Sequence, residues 1–270
     1  MNVGFIGMGN MGQMLVTALA RTDVLGPGEC YASTRDHEKL KRLETAIPGL
    51  RIAYTNRELA QQCQVIFLCL KPGETKAVLR EIGPHLTPDR LLVAITNTID
   101  IPVLEAVVRS RVAKVIPSMV QSIHRGVSLL MFGARCTADD RATLVRLMGA
   151  ISQPVVIDES QARVASDLTS CGPAFISYIF RALVQAARHY QPDLPVDVVN
   201  LMVRATATAT CELLERTGLT FDDVIARVST PGGITADGIK VLDEQLAGVW
   251  EQVIETTIVK EEAKKAKVEL

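Results

Sequence analysis

The amino-acid sequence predicts an α/β protein, an N-terminal domain with a mainly parallel sheet followed by an all-α helical domain. Three observations carry this reading. Short apolar runs alternate with helical patterns through the first half, a Gly-x-Gly-x-x-Gly segment follows the first run, and beyond residue 158 the pattern is helical almost throughout. Single hydrophobic cores stop growing at about 250–300 residues, so 270 residues favour two domains, 1–157 and 158–270. Hydrophobic residues at 48% and charged residues at 22% place the chain in the globular range and exclude a disordered or collagenous protein. Lys plus Arg (29) balance Asp plus Glu (30), and a net charge of −1 gives no electrostatic drive toward nucleic acid or an anionic membrane.

The first strand is Val3–Ile6, an apolar run that leads into the helix pattern Met11–Arg21. Cys30–Ala32, Val65–Leu70, Leu91–Ile95 and Val115–Ile116 follow as strands. Asp36–Leu43, Asn56–Gln61, Glu74–Ile82 and Ile101–Val108 are the helices between them. Val127–Phe132 and Val155–Ile157 read as two later strands around the helix Ala138–Met148, for a sheet of about seven strands. The second domain reads as helices at Gln161–Thr169, Pro173–Tyr190, Val196–Arg216, Phe221–Val228 and Thr235–Lys267. Pro173 falls in a first turn, where its missing N–H costs little. The run Ala205–Thr210 supplies small side chains that let helices approach closely, and the Lys/Glu pattern of Lys260–Lys267 reads as a solvated helix end.

The cysteines at 30, 63, 69, 136, 171 and 211 form no CxxC pair and have no histidine at zinc-ligand spacing, so no metal site is expected. They read as buried thiols in a reducing cytoplasm. The uncharged N-terminus is broken by Gly4, Gly7, Gly9, Asn10 and Gly12, and nothing reads as a secretory signal or a membrane span.

Gly7-Met8-Gly9-Asn10-Met11-Gly12 directly follows a strand and opens a helix, the context in which this motif marks a Rossmann-like dinucleotide site. Gly7 permits the tight turn, Gly9 admits a pyrophosphate to the backbone, and Gly12 lets helix and strand pack. Asn10 and Met11 begin the helix whose N–H groups face the phosphates. The bland alternative is a glycine-rich turn that only packs a helix on a sheet. At the end of the second strand, where an acidic residue would accept from a ribose 2′-OH, the chain reads Ser33-Thr34-Arg35. Hydroxyls and a guanidinium suit a 2′-phosphate, so NADPH is expected in preference to NADH, with helix capping as the competing role for Ser33 and Thr34. A Gly-rich turn entering a helix at Pro231-Gly232-Gly233, with the Thr235 hydroxyl beside it, presents N–H groups to an anion such as a carboxylate; the competing reading makes Thr235 a plain N-cap.

Gly7–Gly12, Ser33-Thr34-Arg35, Leu70-Lys71-Pro72, Ser170-Cys171-Gly172-Pro173-Ala174 and Thr230-Pro231-Gly232-Gly233-Ile234-Thr235 together resemble the pyrroline-5-carboxylate reductase family along nearly the whole chain. The resemblance implies NADPH-dependent reduction of 1-pyrroline-5-carboxylate, a cyclic imino acid, to proline, and homodimerisation through the helical domain, with further assembly into a larger homo-oligomer left open. It also implies that Asn56 and Leu70-Lys71-Pro72 line the cofactor cleft and that Thr96 and Asn97 lie near the nicotinamide. Thr230, Gly232, Gly233, Thr235 and Cys171 would then bind substrate, with Thr235 hydrogen-bonding the ring nitrogen. The family also includes paralogues from bacterial competence operons. A reductase of another imino or carbonyl acid, or a non-catalytic NADP-binding regulatory protein linked to competence, is the alternative reading.

The departures from the family pattern gather at the expected substrate pocket and spare the pyrophosphate site. Met-Pro-Asn-Thr-Pro becomes Ile116-Pro117-Ser118-Met119-Val120, which puts Ser118 where an amide would adjoin the nicotinamide. Ala-Ala-Gly becomes Thr96-Asn97-Thr98, Gly-Ser-Gly-Pro-Ala becomes Ser170–Ala174, an expected Asp is Arg163, and Thr-Thr becomes Ile234-Thr235. His37, His85, His124 and His189 stand outside every motif, and His124 alone follows the altered loop closely enough to reach the pocket.

Overall fold

The computed structural model describes residues 1–268. The chain runs β1 (Val3–Ile6), α1 (Asn10–Ala20), β2 (Cys30–Ser33), α2 (His37–Ala46), β3 (Arg51–Ile52), α3 (Asn56–Gln62), β4 (Val65–Leu68), α4 (Pro72–Ile82), β5 (Leu91–Ala94), α5 (Ile101–Val107) and β6 (Arg111–Ile116). It continues with β7 (Val127–Phe132), α6 (Ala138–Gly149), β8 (Gln153–Val156), α7 (Ala162–Thr169), α8 (Gly172–Tyr190), α9 (Val196–Thr217), α10 (Phe221–Val228), α11 (Ile234–Leu246) and α12 (Val249–Lys265). The α/β domain followed by helices is the architecture that the sequence predicts.

The sheet has eight strands in the order β3-β2-β1-β4-β5-β6-β7-β8, and every pairing is parallel except the antiparallel β6–β7. The order reverses between β1 and β4, so a crevice forms at the carboxyl ends of these two strands, and the glycine motif leaves β1 at that point. Strand alternation sends Val3 and Phe5 to one face and Ile6 to the other, giving separate cores on the two faces of the sheet. Phe5 stacks on Phe67 of β4 with ring centroids 4.9 Å apart, which ties the two central strands together. Side-chain caps start several helices where polar residues precede the apolar periodicity: Asp36 for α2, Thr55 for α3 and a Thr137–Asp140 capping box for α6.

Two compact units result, 1–172 with 257–270, and 173–256. The first continues past the change of sequence texture at residue 158, because α7 buries Ala162, Ser166 and Asp167. The end of α12 belongs to it as well: Glu261 is buried against Arg163, and Lys265 pairs with Asp100 at 2.6 Å. The Lys/Glu segment expected to be solvated is therefore partly a packing element. Instead of one helix over Thr235–Lys267 there are two, broken at Ala247-Gly248, where Gly248 takes φ +75°, a conformation that favours glycine. In the second unit Phe175 packs on Trp250, yet Val184 and Val199 are its only buried hydrophobic residues. The six cysteines are free, and Cys211 is exposed rather than buried. Among the described residues no helix is long and apolar enough to cross a membrane.

Candidate active site

The crevice at the sheet's carboxyl edge has two lobes, of about 570 and 450 Å³, which share Gly9, Cys69, Leu70 and Lys71. Gly7 takes φ +97°, and a Cβ there would stand 2.6 Å from the Cys69 carbonyl oxygen. A Cβ on Gly12 would meet the Gly7 carbonyl oxygen at 2.0 Å, whereas one on Gly9 would meet nothing within 4 Å and would point into open cleft. Gly9 is the N-cap of α1, with no side-chain cap and no acidic residue in the first turn. The first N–H groups of that helix lack intrahelical partners and are placed for an anion. A pyrophosphate fits this cradle, and one lobe on each side fits the two halves of a dinucleotide.

In the larger lobe Thr34 and Arg35 line the cleft, as does Asn56. Ser33 does not reach it: the side chain is buried and its hydroxyl donates to Asn56 Oδ1 at 3.1 Å, while Asn56 Nδ2 donates to Glu81 Oε2 at 2.8 Å. Ser33 therefore acts through Asn56. Asp36 caps α2, which removes the capping role considered for Ser33 and Thr34. Lys39, absent from the sequence reading, lines the lobe with Nζ donating to the Met8 carbonyl at 3.2 Å. A lysine in the first turn of the helix after β2 is the signal that could have found it.

The smaller lobe brings together Asn10, Met11, Lys71, Pro72, Thr96, Asn97, Arg163 and Cys171. Asn97 Nδ2 donates to Ser166 Oγ at 3.1 Å and to the Ala162 carbonyl at 3.3 Å, and its Oδ1 is buried without a partner among the described residues. Ser118 does not line this lobe; it is fully buried, with its hydroxyl donated to the Thr169 carbonyl at 2.9 Å. His124 is exposed at the end of a 3₁₀ turn, with φ +55°, and does not line the lobe either.

Arg163 organises the wall of the smaller lobe. Its Nη1 donates to Glu261 Oε2 and its Nη2 to Asp167 Oδ1, both at 2.7 Å, and Thr257 Oγ1 donates to Asp167 Oδ2 at 2.5 Å. Burial opposes the guanidinium charge, but Glu261 and Asp167 outweigh it and hold Arg163 above its ordinary value. Burial raises the Cys171 thiol, partly offset by Arg163 at 3.5 Å, and pushes Cys69 up to about 12, so neither is a ready thiolate nucleophile.

The turn between α10 and α11 lies in the second unit. Gly232 takes φ +74°, and the Gly233 N–H donates to the Thr230 carbonyl at 2.9 Å. The N-cap of α11 is Gly233 rather than Thr235, and Thr235 is exposed, with a hydroxyl that has no hydrogen-bond partner among the described residues.

A strand-order switch, a glycine cradle and a two-lobed cleft, with Arg35 and Lys39 in the larger lobe and Arg163 in the smaller, are the features of a dinucleotide-binding protein, and the class they fit is the NADP-dependent oxidoreductases. The family model "NADP oxidoreductase coenzyme F420-dependent" matches residues 2–98, and "Pyrroline-5-carboxylate reductase dimerisation" matches 159–264. The chain is 32% identical to ComE operon protein 4 of Bacillus subtilis over 97% of its own length and 96% of that protein, and it belongs to the pyrroline-5-carboxylate reductase family. It is also 28% identical to pyrroline-5-carboxylate reductase 3 of the same organism, covering 96% of this chain and 95% of that one. The fold matches a pyrroline-5-carboxylate reductase from Coxiella burnetii with a TM-score of 0.85 at 24% identity, covering 100% of this chain and 98% of that one. It matches a Plasmodium falciparum pyrroline carboxylate reductase with NADP bound at 0.84 and 21%, covering 98% and 97%.

Proposed function

We propose that the chain reduces 1-pyrroline-5-carboxylate to proline with NADPH. The observation that carries this is the continuity of the glycine cradle with a lobe lined by Asn97, Ser166, Ser170 and Cys171, in a chain of this family. The nicotinamide, when bound, supplies the hydride that reduces the C=N carbon. Gly7, Gly9, Asn10, Met11 and Gly12 hold the pyrophosphate, and Thr34, Arg35, Lys39 and Asn56 the adenosine half. Leu70, Lys71, Pro72, Thr96 and Asn97 flank the other half. Ser33 and Ser118 support it by fixing Asn56 and the 118–169 contact. The turn with Thr230, Gly232 and Gly233 binds the substrate carboxylate. The Thr235 hydroxyl hydrogen-bonds the ring nitrogen, accepting from its N–H where the imine enters protonated and donating to its lone pair where the proton comes from water; a hydroxyl orients here and does not act as a strong acid.

The expected result is steady NADPH oxidation with 1-pyrroline-5-carboxylate, reduced about 10- to 100-fold in Thr235→Val with NADPH affinity unchanged. NADPH binding without turnover overturns the substrate assignment and leaves the cofactor assignment standing. A second reading is favoured by Arg163, which stands where the family pattern has an Asp and pairs with Asp167 and Glu261 behind the lobe. Under it the substrate is a different imino acid, and turnover with a six-membered cyclic imine exceeding that with the pyrroline ring identifies this case.

The helical unit leaves Ile176, Ile179, Leu183, Leu201, Met202, Val241 and Leu242 exposed in the single chain. Apolar surface on this scale marks an interface, and the proposed occupant is a second copy. Light scattering at micromolar concentration is expected to give at least a dimer; a monomer overturns this.

A further inference from the structure

At the adenosine lobe the chain sets opposite charges face to face. Arg35 comes from the loop after β2 and Glu74 from the first turn of α4. Their Nη2 and Oε1 atoms lie 2.5 Å apart, and both side chains line the same lobe. Lys39 and Thr34 line it as well. We propose that Glu74 sets the choice between NADPH and NADH by competing with the 2′-phosphate for Arg35. The proposal rests on reading this lobe as the adenosine half of the dinucleotide site.

The competition turns on charge and hydrogen-bond type. A 2′-phosphate carries between one and two negative charges near neutral pH and offers only acceptors of consequence, so it needs the guanidinium that Glu74 already holds. Binding it means displacing the Glu74 carboxylate from Arg35 or placing a second anion beside it. A free ribose 2′-OH is a donor, and for it the same carboxylate is an acceptor. Glu74 thus works against NADPH and in favour of NADH, while Arg35, Lys39 and Thr34 work the other way. The Arg35 side chain is 90% exposed and that of Glu74 39%, so solvent screens the pair and the effect is a graded bias. The usual guide to cofactor choice is the residue at the end of β2. Glu74 lies on the next crossover but one and reaches the same lobe from the other side.

The test is equilibrium binding of NADPH, NADH, 2′,5′-ADP and 5′-AMP to the full chain and its variants. Glu74→Gln is expected to tighten NADPH and 2′,5′-ADP about three- to tenfold, and to leave NADH and 5′-AMP within about twofold or weaken them. In an Arg35→Ala background the same substitution is expected to move 2′,5′-ADP by less than about twofold. Equal tightening of all four ligands, an undiminished gain without Arg35, or no change for 2′,5′-ADP overturns the proposal. If the unaltered chain binds neither NADPH nor 2′,5′-ADP, the dinucleotide reading itself falls.

Discussion

Replacing Gly12 by alanine is expected to abolish measurable NADPH binding and to lower stability at the same time, whereas replacing Gly9 by alanine is expected to weaken binding alone. The asymmetry follows from what each new methyl would touch. On Gly12 it would stand 2.0 Å from the Gly7 carbonyl oxygen and 3.0 Å from Cys69 Cβ. The first of these is backbone, so no rotamer relieves the clash and α1 must move off the turn that it anchors. Overpacking of this kind costs about 1–3 kcal/mol, a fall of roughly 3–10 °C in Tm for a chain of this size. The same movement takes the N–H groups of Asn10 and Met11 out of place. On Gly9 the methyl would find nothing within 4 Å, so the fold has no reason to respond and only an incoming pyrophosphate would meet it. Calorimetric melting and NADPH titration of the two variants separate a ligand cradle from a turn that merely packs. Unchanged NADPH affinity in Gly9→Ala would show that no phosphate approaches this backbone.

The strand–motif–helix order was legible because each part is local: four apolar residues, six residues of motif, then a helix that buries Leu15, Val16 and Leu19. What was not legible depends on partners far away in sequence. β6 spans Arg111–Ile116, but only its last two residues looked like a strand, because Lys114 interrupts the apolar run. That lysine is fully buried, and the carboxylate that makes its burial tolerable, Glu159, lies 45 residues on. β3 is two residues long with an exposed arginine, below any pattern threshold. The trio around Arg163 needs Glu261, 98 residues away, so its charge read as a bare departure from family pattern. Ser33 had the right chemistry for a 2′-phosphate and the wrong direction: strand alternation turns it inward to Asn56 and leaves Thr34, Arg35 and Lys39 at the cleft. Residue type at a motif position was readable, and side-chain direction was not.

Glu159→Ala is expected to be strongly destabilising, and Lys114→Met close to neutral, although the two residues form one ion pair. Lys114 Nζ donates to Glu159 Oε1 at 2.6 Å, and the lysine side chain is 0% exposed against 23% for the glutamate. Burial pushes the Lys114 ammonium below its ordinary value near 10.5, and Glu159 opposes that push; Asp100 adds to the opposition and Lys265 works against it. Removing the carboxylate strands a buried cation and frees the Ile101 N–H that Glu159 also accepts, at 3.0 and 3.1 Å. Losses of this kind run to about 3–5 kcal/mol, on the order of 10 °C in Tm. Removing the lysine instead leaves Glu159 with the Ile101 N–H and a path to water, and fills the site with apolar volume, which costs under about 1.5 kcal/mol. The pH dependence has a definite sign. A lysine whose folded pKa is depressed binds fewer protons folded than unfolded, so stability rises with pH up to the unfolded value and falls as pH drops through the folded one. Glu159→Ala depresses Lys114 further, so this variant is expected to regain part of its deficit between neutral pH and about pH 10, the unfolded lysine range. Adding Lys114→Met to Glu159→Ala is expected to restore at neutral pH the stability that the stranded ammonium costs, leaving the loss of the Ile101 N–H acceptor, and to remove that slope. If Lys114→Met costs as much as Glu159→Ala in denaturant melts, the pair is a net source of stability and desolvation of Lys114 does not offset it.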